Sequence, residues 1–354
     1  MSRRTAQKPN TPDHDARSKA ANRRSSRNAA VRRRNRLLGL AAGALMIVFV
    51  GVVVVTQQGG GGSIRTGAAT PGSVSRCAAI QPPFAQALGF SRGAVVDTRS
   101  QFVKGLALYD LDSQGNIVRT HQDPTWLSAG YLGPPVLDGS GNIHVAPMPA
   151  INVLENPPER ANIIYRVDAT TGKMAPLIEL PPAAEQTSDN AYGILGLTYD
   201  CETNSLYASS VYGSNRFRQV GRIYQIDLTT NQIVSQLDDV DAFGIGIFNT
   251  VGGKRLYFGL ARNAAIYSIG LDAQGHLNGT MRAEMPLDGL GMQSDERVRL
   301  IKFSGSDALE VRTIQFNFNL VAPTENRETV LDYRYDAQAD AWVLERSSLA
   351  DTSL

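Results

Sequence analysis

Apolar and polar residues alternate with a period of two over most of the chain after residue 80, and Gly, Asp, Asn or Thr interrupts the alternation repeatedly. This period is that of a β-strand with one buried face, and these interrupting residues reverse the chain in tight antiparallel hairpins. One hairpin type ends its first strand in Tyr-x-hydrophobic-Asp. Its copies are GLALYDLDSQGNIVRT from Gly105, IIYRVDATTGKMAPLIEL from Ile163 and GRIYQIDLTTNQIVSQL from Gly221, with looser copies from Ala265 and Leu331.

A second hairpin type precedes four of these copies and begins at Pro134, Leu195, Gly244 and Val298. Joined in order, each pair gives four antiparallel strands, and the unit recurs at the sequence period of propeller blades. The segment Leu88–Thr98 is expected to supply the first two strands of the leading blade. We therefore predict an all-β propeller of five blades, with six blades as the alternative. An irregular β-sandwich needs similar strands but does not predict one recurring four-strand order.

Residues 37–55 read LLGLAAGALMIVFVGVVVV, which contains no charged residue. As a helix this run spans roughly 28 Å, enough to cross a bilayer. Arg residues abut its amino end and TQQGGGGS follows it, so the positive-inside rule places the N-terminus in the cytoplasm and the body outside. We predict an uncleaved signal-anchor helix over 37–56 in the cell membrane. A cleaved secretory signal is the alternative.

The charge is unevenly distributed. Residues 1–36 contain twelve Lys or Arg and two Asp, a local charge of +10, so a whole-chain charge of +2 leaves −8 for the rest. An acidic body argues against nucleic acid as its ligand. The basic arm has no hydrophobic periodicity, and we interpret it as a disordered cytoplasmic tail. Gly39 and Gly43 form a G-x-x-x-G pair within the predicted span, which gives a hypothesis of homo-oligomerisation.

The remaining boundaries follow from composition. Residues 57–79 are rich in Gly, Ser, Thr and Ala and predict a linker, residues 80–348 form the propeller, and 349–354 are a C-terminal tail. Cys77 and Cys201 are the two cysteines. In an oxidising compartment a disulfide between them would tie the start of the domain to a blade turn, and two unpaired thiols are the alternative.

The paired motifs, Y-D-x-x-x-N-x-L-Y followed by I-Y-x-I-D-x-x-T, resemble the blades of NHL-type and gluconolactonase-like propellers. The resemblance covers most of the body and implies architecture. A gluconolactonase-like enzyme would hold a divalent cation in its central channel on Glu, Asn and Asp, which implies a metal-dependent lactonase or esterase as the alternative function. The Asp and Asn residues of this chain concentrate in turns, so those ligands are not assigned to particular residues.

No complete catalytic motif stands out. His121, His144 and His276 are the histidines of the body, and their placement in strands and turns does not predict a zinc site. Ser91 lies in a G-x-S-x-G motif, but strands are expected on both of its sides, so we interpret it as structural. We expect no cofactor, and whether the protein is an enzyme stays open.

Loop lengths indicate where recognition takes place. Connections between the first and second and the third and fourth strands of a blade are short, whereas those on the opposite face are long. Long loops on a rigid scaffold usually carry binding residues. We therefore predict a binding or assembly module for a protein partner or small ligand, anchored by the aromatic and Arg residues of this face: Trp126, Tyr131, Tyr192, Tyr212, Arg216 and Arg218. Packing of Trp126 and Tyr131 between blades is the alternative.

Overall fold

The computed structural model describes residues 70–75, 77, 80–98, 104–149, 154–290, 295–319 and 327–351. The predicted basic tail, the predicted membrane span and the pair Gly39 and Gly43 lie outside these residues, as does most of the predicted linker. Within the part of the chain that is described, no helix has the length and apolar character to cross a bilayer.

Nineteen strands form five antiparallel sheets in the described residues. The first blade consists of β1 (Val95–Asp97), β2 (Ala107–Leu111) and β3 (Ile117–His121). The second consists of β4 (Val136–Leu137), β5 (Ile143–Val145), β6 (Ile163–Val167) and β7 (Met174–Glu179). The third consists of β8 (Ile194–Asp200), β9 (Ser205–Ser210), β10 (Arg222–Asp227) and β11 (Gln232–Asp238).

The fourth blade consists of β12 (Ala242–Thr250), β13 (Gly253–Leu260), β14 (Ala265–Leu271) and β15 (Leu277–Pro286). The fifth consists of β16 (Glu296–Ser304), β17 (Ala308–Gln315), β18 (Arg327–Asp336) and β19 (Ala341–Asp351). Within each sheet, neighbouring strands follow one another along the chain. The predicted all-β propeller of five blades is therefore confirmed.

The leading blade differs from the prediction. The segment Leu88–Thr98 supplies one strand, β1, where two were expected. The chain before it forms a short helix, α1 (Pro83–Ala87), which begins with a proline and ends before Gly89, a residue with φ of 77°. A turn then occupies the residues up to Gly93. The alternation of residue types alone did not reveal this turn.

Hydrophobic clusters fill the junctions between consecutive blades. Alternate residues of one strand point to opposite neighbours: Tyr165 packs in the cluster shared by the first two blades, and Ile164 packs in the cluster shared by the second and third. Similar clusters join the third blade to the fourth and the fourth to the fifth. The innermost strands of neighbouring blades lie so close together that a Cβ on Gly196 would be only 2.4 Å from the carbonyl oxygen of Phe243. Inner strands buried on both faces thus hold the blades in fixed relation.

The described part of residues 70–90, which we call the strap, lies along short turns of blades two to four. Gly72 N–H donates to the carbonyl of Asn249 at the end of β12 (2.6 Å). Cys77 is disulfide-bonded to Cys201 in the turn after β8, with 5.5 Å between the Cα atoms. Further along, Phe84 N–H donates to the carbonyl of Ala169 in the turn before β7 (2.9 Å). The strap therefore links three blades on the face that carries the short turns.

Candidate functional site

The two faces of the propeller differ in their connections. On the strap face, turns such as 138–142 and 168–173 only reverse the chain. On the opposite face, which we call the long-loop face, segments 122–135 and 211–221 and the described parts of 146–162 are longer and follow irregular paths. The connections at 239–241 and 261–264 on this face are short, so the long loops that the structure describes throughout lie around the second and third blades.

Trp126 is not a surface anchor, and its prediction as a binding residue is wrong. It lies in a short 3-10 helix (Pro124–Leu127) and its side chain is 0% exposed. The indole N–H donates to the carbonyl of Gly172 (2.8 Å), and the ring packs edge-on against Phe84 and His121. The alternative, packing between blades, is the correct interpretation for this residue.

The predicted tyrosines are only half-buried, and they lie in different settings. The backbone N–H of Tyr131 donates to the side-chain oxygen of Asn156 (3.0 Å), so this segment is fixed to the neighbouring long loop. Tyr192 packs against Phe316, with ring centroids 5.3 Å apart, and burial raises the pKa of its hydroxyl to about 12. Tyr212 stands at the start of loop 211–221.

Tyr192 belongs to an aromatic cluster that joins loops of different blades. Phe243 at the start of β12 and Phe316 after β17 have ring centroids 5.0 Å apart, and Phe318 packs against Phe316. Ala191 N–H donates to the carbonyl of Phe318 (3.1 Å). The cluster thus connects the loop before the third blade to the fifth blade and stiffens this face. The two phenylalanines after β17 were not among the predicted site residues, because their cluster forms between segments that are distant in sequence.

Arg216 and Arg218 lie at the exposed end of loop 211–221, on either side of Phe217. The guanidinium of Arg216 lies over the Phe217 ring, 4.4 Å from its centroid, and the Phe217 side chain is 79% exposed. Within the described residues neither guanidinium has an ion-pair partner. We call these three residues the Arg-Phe-Arg tip. Phe217 was not among the predicted site residues, although an apolar residue between two arginines in a polar loop is a usable signal.

Side-chain hydrogen bonds hold the backbone of the tip. The side-chain oxygen of Asn215 accepts from the backbone N–H groups of Phe217 and Arg218 (both 2.9 Å). Arg262 donates to the carbonyls of Asn215 (2.6 Å) and Arg216 (3.3 Å), and also to that of Arg218. The guanidinium of Arg262 also lies over the ring of Phe318, 5.3 Å from its centroid. Five side-chain hydrogen bonds to so short a segment favour one backbone conformation.

A buried carboxylate supports this arrangement from below. Asp241 is 0% exposed and accepts from Arg262 Nε (2.6 Å), from the Gly221 N–H (3.0 Å) and from the Ser214 hydroxyl (2.5 Å). Burial raises the pKa of Asp241 above its usual value, and the hydrogen bond from Ser214 and the charge of Arg262 offset this only in part. Asp241 and Arg262 therefore connect the base of loop 211–221 to the inner end of the fourth blade.

A second apolar side chain is exposed on the same face. Leu154, in the long loop of the second blade, is 87% exposed. Of the large hydrophobic residues that the structure describes, Leu154 and Phe217 are the two most exposed. Both belong to loops that join the second and third strands of adjacent blades, so they occupy equivalent places in the repeat.

Residues with potential catalytic chemistry are engaged in structural contacts. The Ser91 hydroxyl donates to Asp110 (2.6 Å), His144 contacts Asp138 and His276 contacts Asp272. Within the described ranges, no three His, Cys, Asp or Glu side chains form a group that could hold a metal ion. We therefore derive no catalytic step through a metal from the described residues.

No family model matches the chain, and no curated protein matches it. Among solved structures, it is similar to a luciferin-regenerating enzyme at 15% identity and a TM-score of 0.36, covering 59% of this chain and 63% of that chain. It is also similar to a glucose dehydrogenase (12% identity, TM-score 0.39, 62% and 74% covered) and to the Dos1 propeller (14%, 0.34, 69% and 66%). Similarities this distant say nothing of activity, and the architecture rests on the strand order itself.

Proposed function

We propose that this protein is a binding or assembly module that recognises its partner through the long-loop face, with the Arg-Phe-Arg tip at the centre of the contact. The observation that carries the proposal is Phe217, whose side chain is 79% exposed on a backbone that Asn215 and Arg262 hold in place. An exposed aromatic ring between two arginines has the composition of an interface hot spot.

The rigidity of the tip supports this function. A flexible loop loses conformational entropy on binding, and a pre-organised loop avoids most of that cost. Here the ordering is supplied by Asp241 and Arg262 before any partner arrives. The exposed Leu154 on the adjacent blade extends the apolar part of the contact. Tyr131 and Tyr212, half-buried on the same face, are proposed to lie at its margin.

We further propose that the module is membrane-anchored and extracytoplasmic, held by residues 37–56. The support is the uncharged run in the sequence and the Arg residues on its amino side. The cysteine pair is consistent in chemistry with this placement, because disulfides persist mainly in oxidising compartments.

The test is partner capture from cells by the full chain, with and without a double substitution of Phe217→Ser and Leu154→Ser. We expect proteins cross-linked to the wild type to be lost from the double variant. The matched control is Val118→Ser with Val343→Ser, which removes two apolar side chains of 63% and 54% exposure from outer strands. Capture that is equal for the wild type and the Phe217/Leu154 variant, or that is lost equally in the control, would show that the long-loop face is not the binding surface.

A further inference from the structure

We infer that the Arg-Phe-Arg tip recognises an acidic protein segment, in which carboxylates flank an apolar side chain. This inference rests on the proposed function and specifies the chemistry of the partner. The two guanidiniums provide the argument: Arg216 and Arg218 are exposed and have no ion-pair partner among the described residues, while the chain outside residues 1–36 carries a net charge of −8. The tip is therefore a local positive site on an acidic body.

The positive charge of the tip belongs to these two residues. Arg262, which also lies at the tip, is paired with the buried carboxylate of Asp241 at 2.6 Å. Its remaining N–H groups donate to tip carbonyls, so its charge is neutralised within the protein. Among the described residues, by contrast, the guanidinium N–H groups of Arg216 and Arg218 have no hydrogen-bond partner. A guanidinium matches the two oxygens of a carboxylate, which it can bind with two parallel hydrogen bonds.

The stacking of Arg216 on Phe217 distinguishes a protein partner from a lipid surface. To enter hydrocarbon, the Phe217 ring would have to leave the guanidinium 4.4 Å above it or carry that charge inward, and a charge in hydrocarbon is costly. In a protein groove, the open face and edge of the ring can contact an apolar side chain while Arg216 stays stacked and binds a carboxylate at the rim. The observed geometry therefore favours an acidic polypeptide over an anionic membrane.

The experiment uses a fluorescein-labelled peptide in which glutamates flank a single leucine, and the same peptide with glutamine in place of glutamate. Binding to the oxidised protein is measured by fluorescence anisotropy at low salt. We expect the glutamate peptide to bind, and the Arg216→Glu/Arg218→Glu variant to bind it at least about tenfold more weakly, because two attractive charge contacts become repulsive. The wild-type protein should bind the glutamine peptide more weakly than the glutamate peptide by a similar factor.

The control variant, Arg92→Glu/Lys302→Glu, changes the net charge by the same amount at two sites away from the tip. Neither residue has an ion-pair partner among the described residues, and the variant should bind like the wild type. No binding of the glutamate peptide, equal binding of the glutamine peptide or an equal loss in the control would overturn the inference. Tip-dependent binding to vesicles of phosphatidylglycerol and phosphatidylcholine without peptide binding would overturn it in favour of a membrane. Partner capture that depends on Phe217 would preserve the proposed function in each of these cases.

Discussion

Seven short turns of the strap face use the same residue in the same way. In each, an aspartate begins the turn and its carboxylate accepts the backbone N–H two residues later: Asp112, Asp138, Asp168, Asp200, Asp227, Asp272 and Asp336. An aspartate in this position mimics a turn of the backbone itself, which explains its recurrence in the repeat. Because the device is local, the sequence pattern sufficed to predict these hairpins.

Asp138 does more than its equivalents, because it also contacts a buried side chain. His144 Nε2 lies 2.9 Å from its carboxylate, and His144 is 1% exposed. An ionised carboxylate only accepts hydrogen bonds, so Nε2 carries the hydrogen. We predict that Asp138→Ala lowers the free energy of unfolding by about 3 kcal/mol, since it leaves a buried imidazole N–H without a partner. Urea denaturation measures this.

The matched control is Asp112→Ala, which removes the same turn bond from an exposed turn without a buried partner. We expect a clearly smaller loss of stability in this variant. Equal losses in the two variants would mean that the contact with His144 contributes nothing beyond the turn itself.

The same carboxylate makes stability depend on pH. Burial raises the pKa of Asp138, but hydrogen bonds from His144 and Asn142 and the charge of His144 outweigh it and lower the pKa to about 2. An unfolded aspartate has a pKa near 3.8, so the unfolded chain binds more protons between these values. The contribution of Asp138 is therefore complete above about pH 4 and is lost as the pH falls towards 2. The wild type should have a higher urea midpoint than Asp138→Asn at pH 4, and this difference should shrink as the pH falls towards 2.

At the scale of elements, features set by neighbouring residues were predictable from the sequence. Features set by contacts between distant segments were not. Strand alternation and turn residues placed the hairpins from Gly105 onward correctly. The path of the strap was not predictable, because Gly72 and Cys77 find their partners Asn249 and Cys201 far along the chain. Nor was the burial of Trp126, whose indole N–H bonds a carbonyl in the next blade. Residue type suggests an anchor in such cases, and only the packed blades show which side the ring faces.

The disulfide is the covalent link in the strap. Cys77 and Cys201 are separated by 124 residues, and closing so long a loop stabilises the folded state by about 4 to 5 kcal/mol in the chain-entropy model. We predict that reduction lowers the melting temperature by on the order of 10 °C. Thermal melts with and without reductant measure the change.

The control for the disulfide is the Cys77→Ser variant, which removes the bond while keeping a small side chain. It should melt like the reduced wild type, and reductant should not alter its melting temperature. If oxidised and reduced wild type melted alike, the strap would be held by its hydrogen bonds and by the packing of Phe84 alone.

At the scale of the whole molecule, the connections distinguish one face of the propeller, which we propose for recognition. The lengths of the described loops follow the expected asymmetry, whereas the anchors were chosen by residue type, and the role of this face in binding stays a prediction. Phe217, which was not among the predicted residues, is exposed on a loop whose backbone donates to the Asn215 side chain and accepts from Arg262. The support from Arg262 comes from the fourth blade, so it could not be predicted from the sequence around residue 217.

The location of the whole molecule can be tested from the predicted membrane span. Nineteen uncharged residues from 37 to 55 with Arg on the amino side predict that the full chain remains in membranes after alkaline washing. A chain beginning at residue 57 should be released.

Orientation is measured with single cysteines at Ser2 or at the exposed Ser306, both in the Cys77→Ser/Cys201→Ser background. With an impermeant maleimide and an intact cytoplasmic membrane, Ser306→Cys should be labelled, and Ser2→Cys only after lysis. Release of the full chain, loss of its N-terminus by cleavage, or early labelling of Ser2→Cys would each contradict an uncleaved anchor with a cytoplasmic N-terminus.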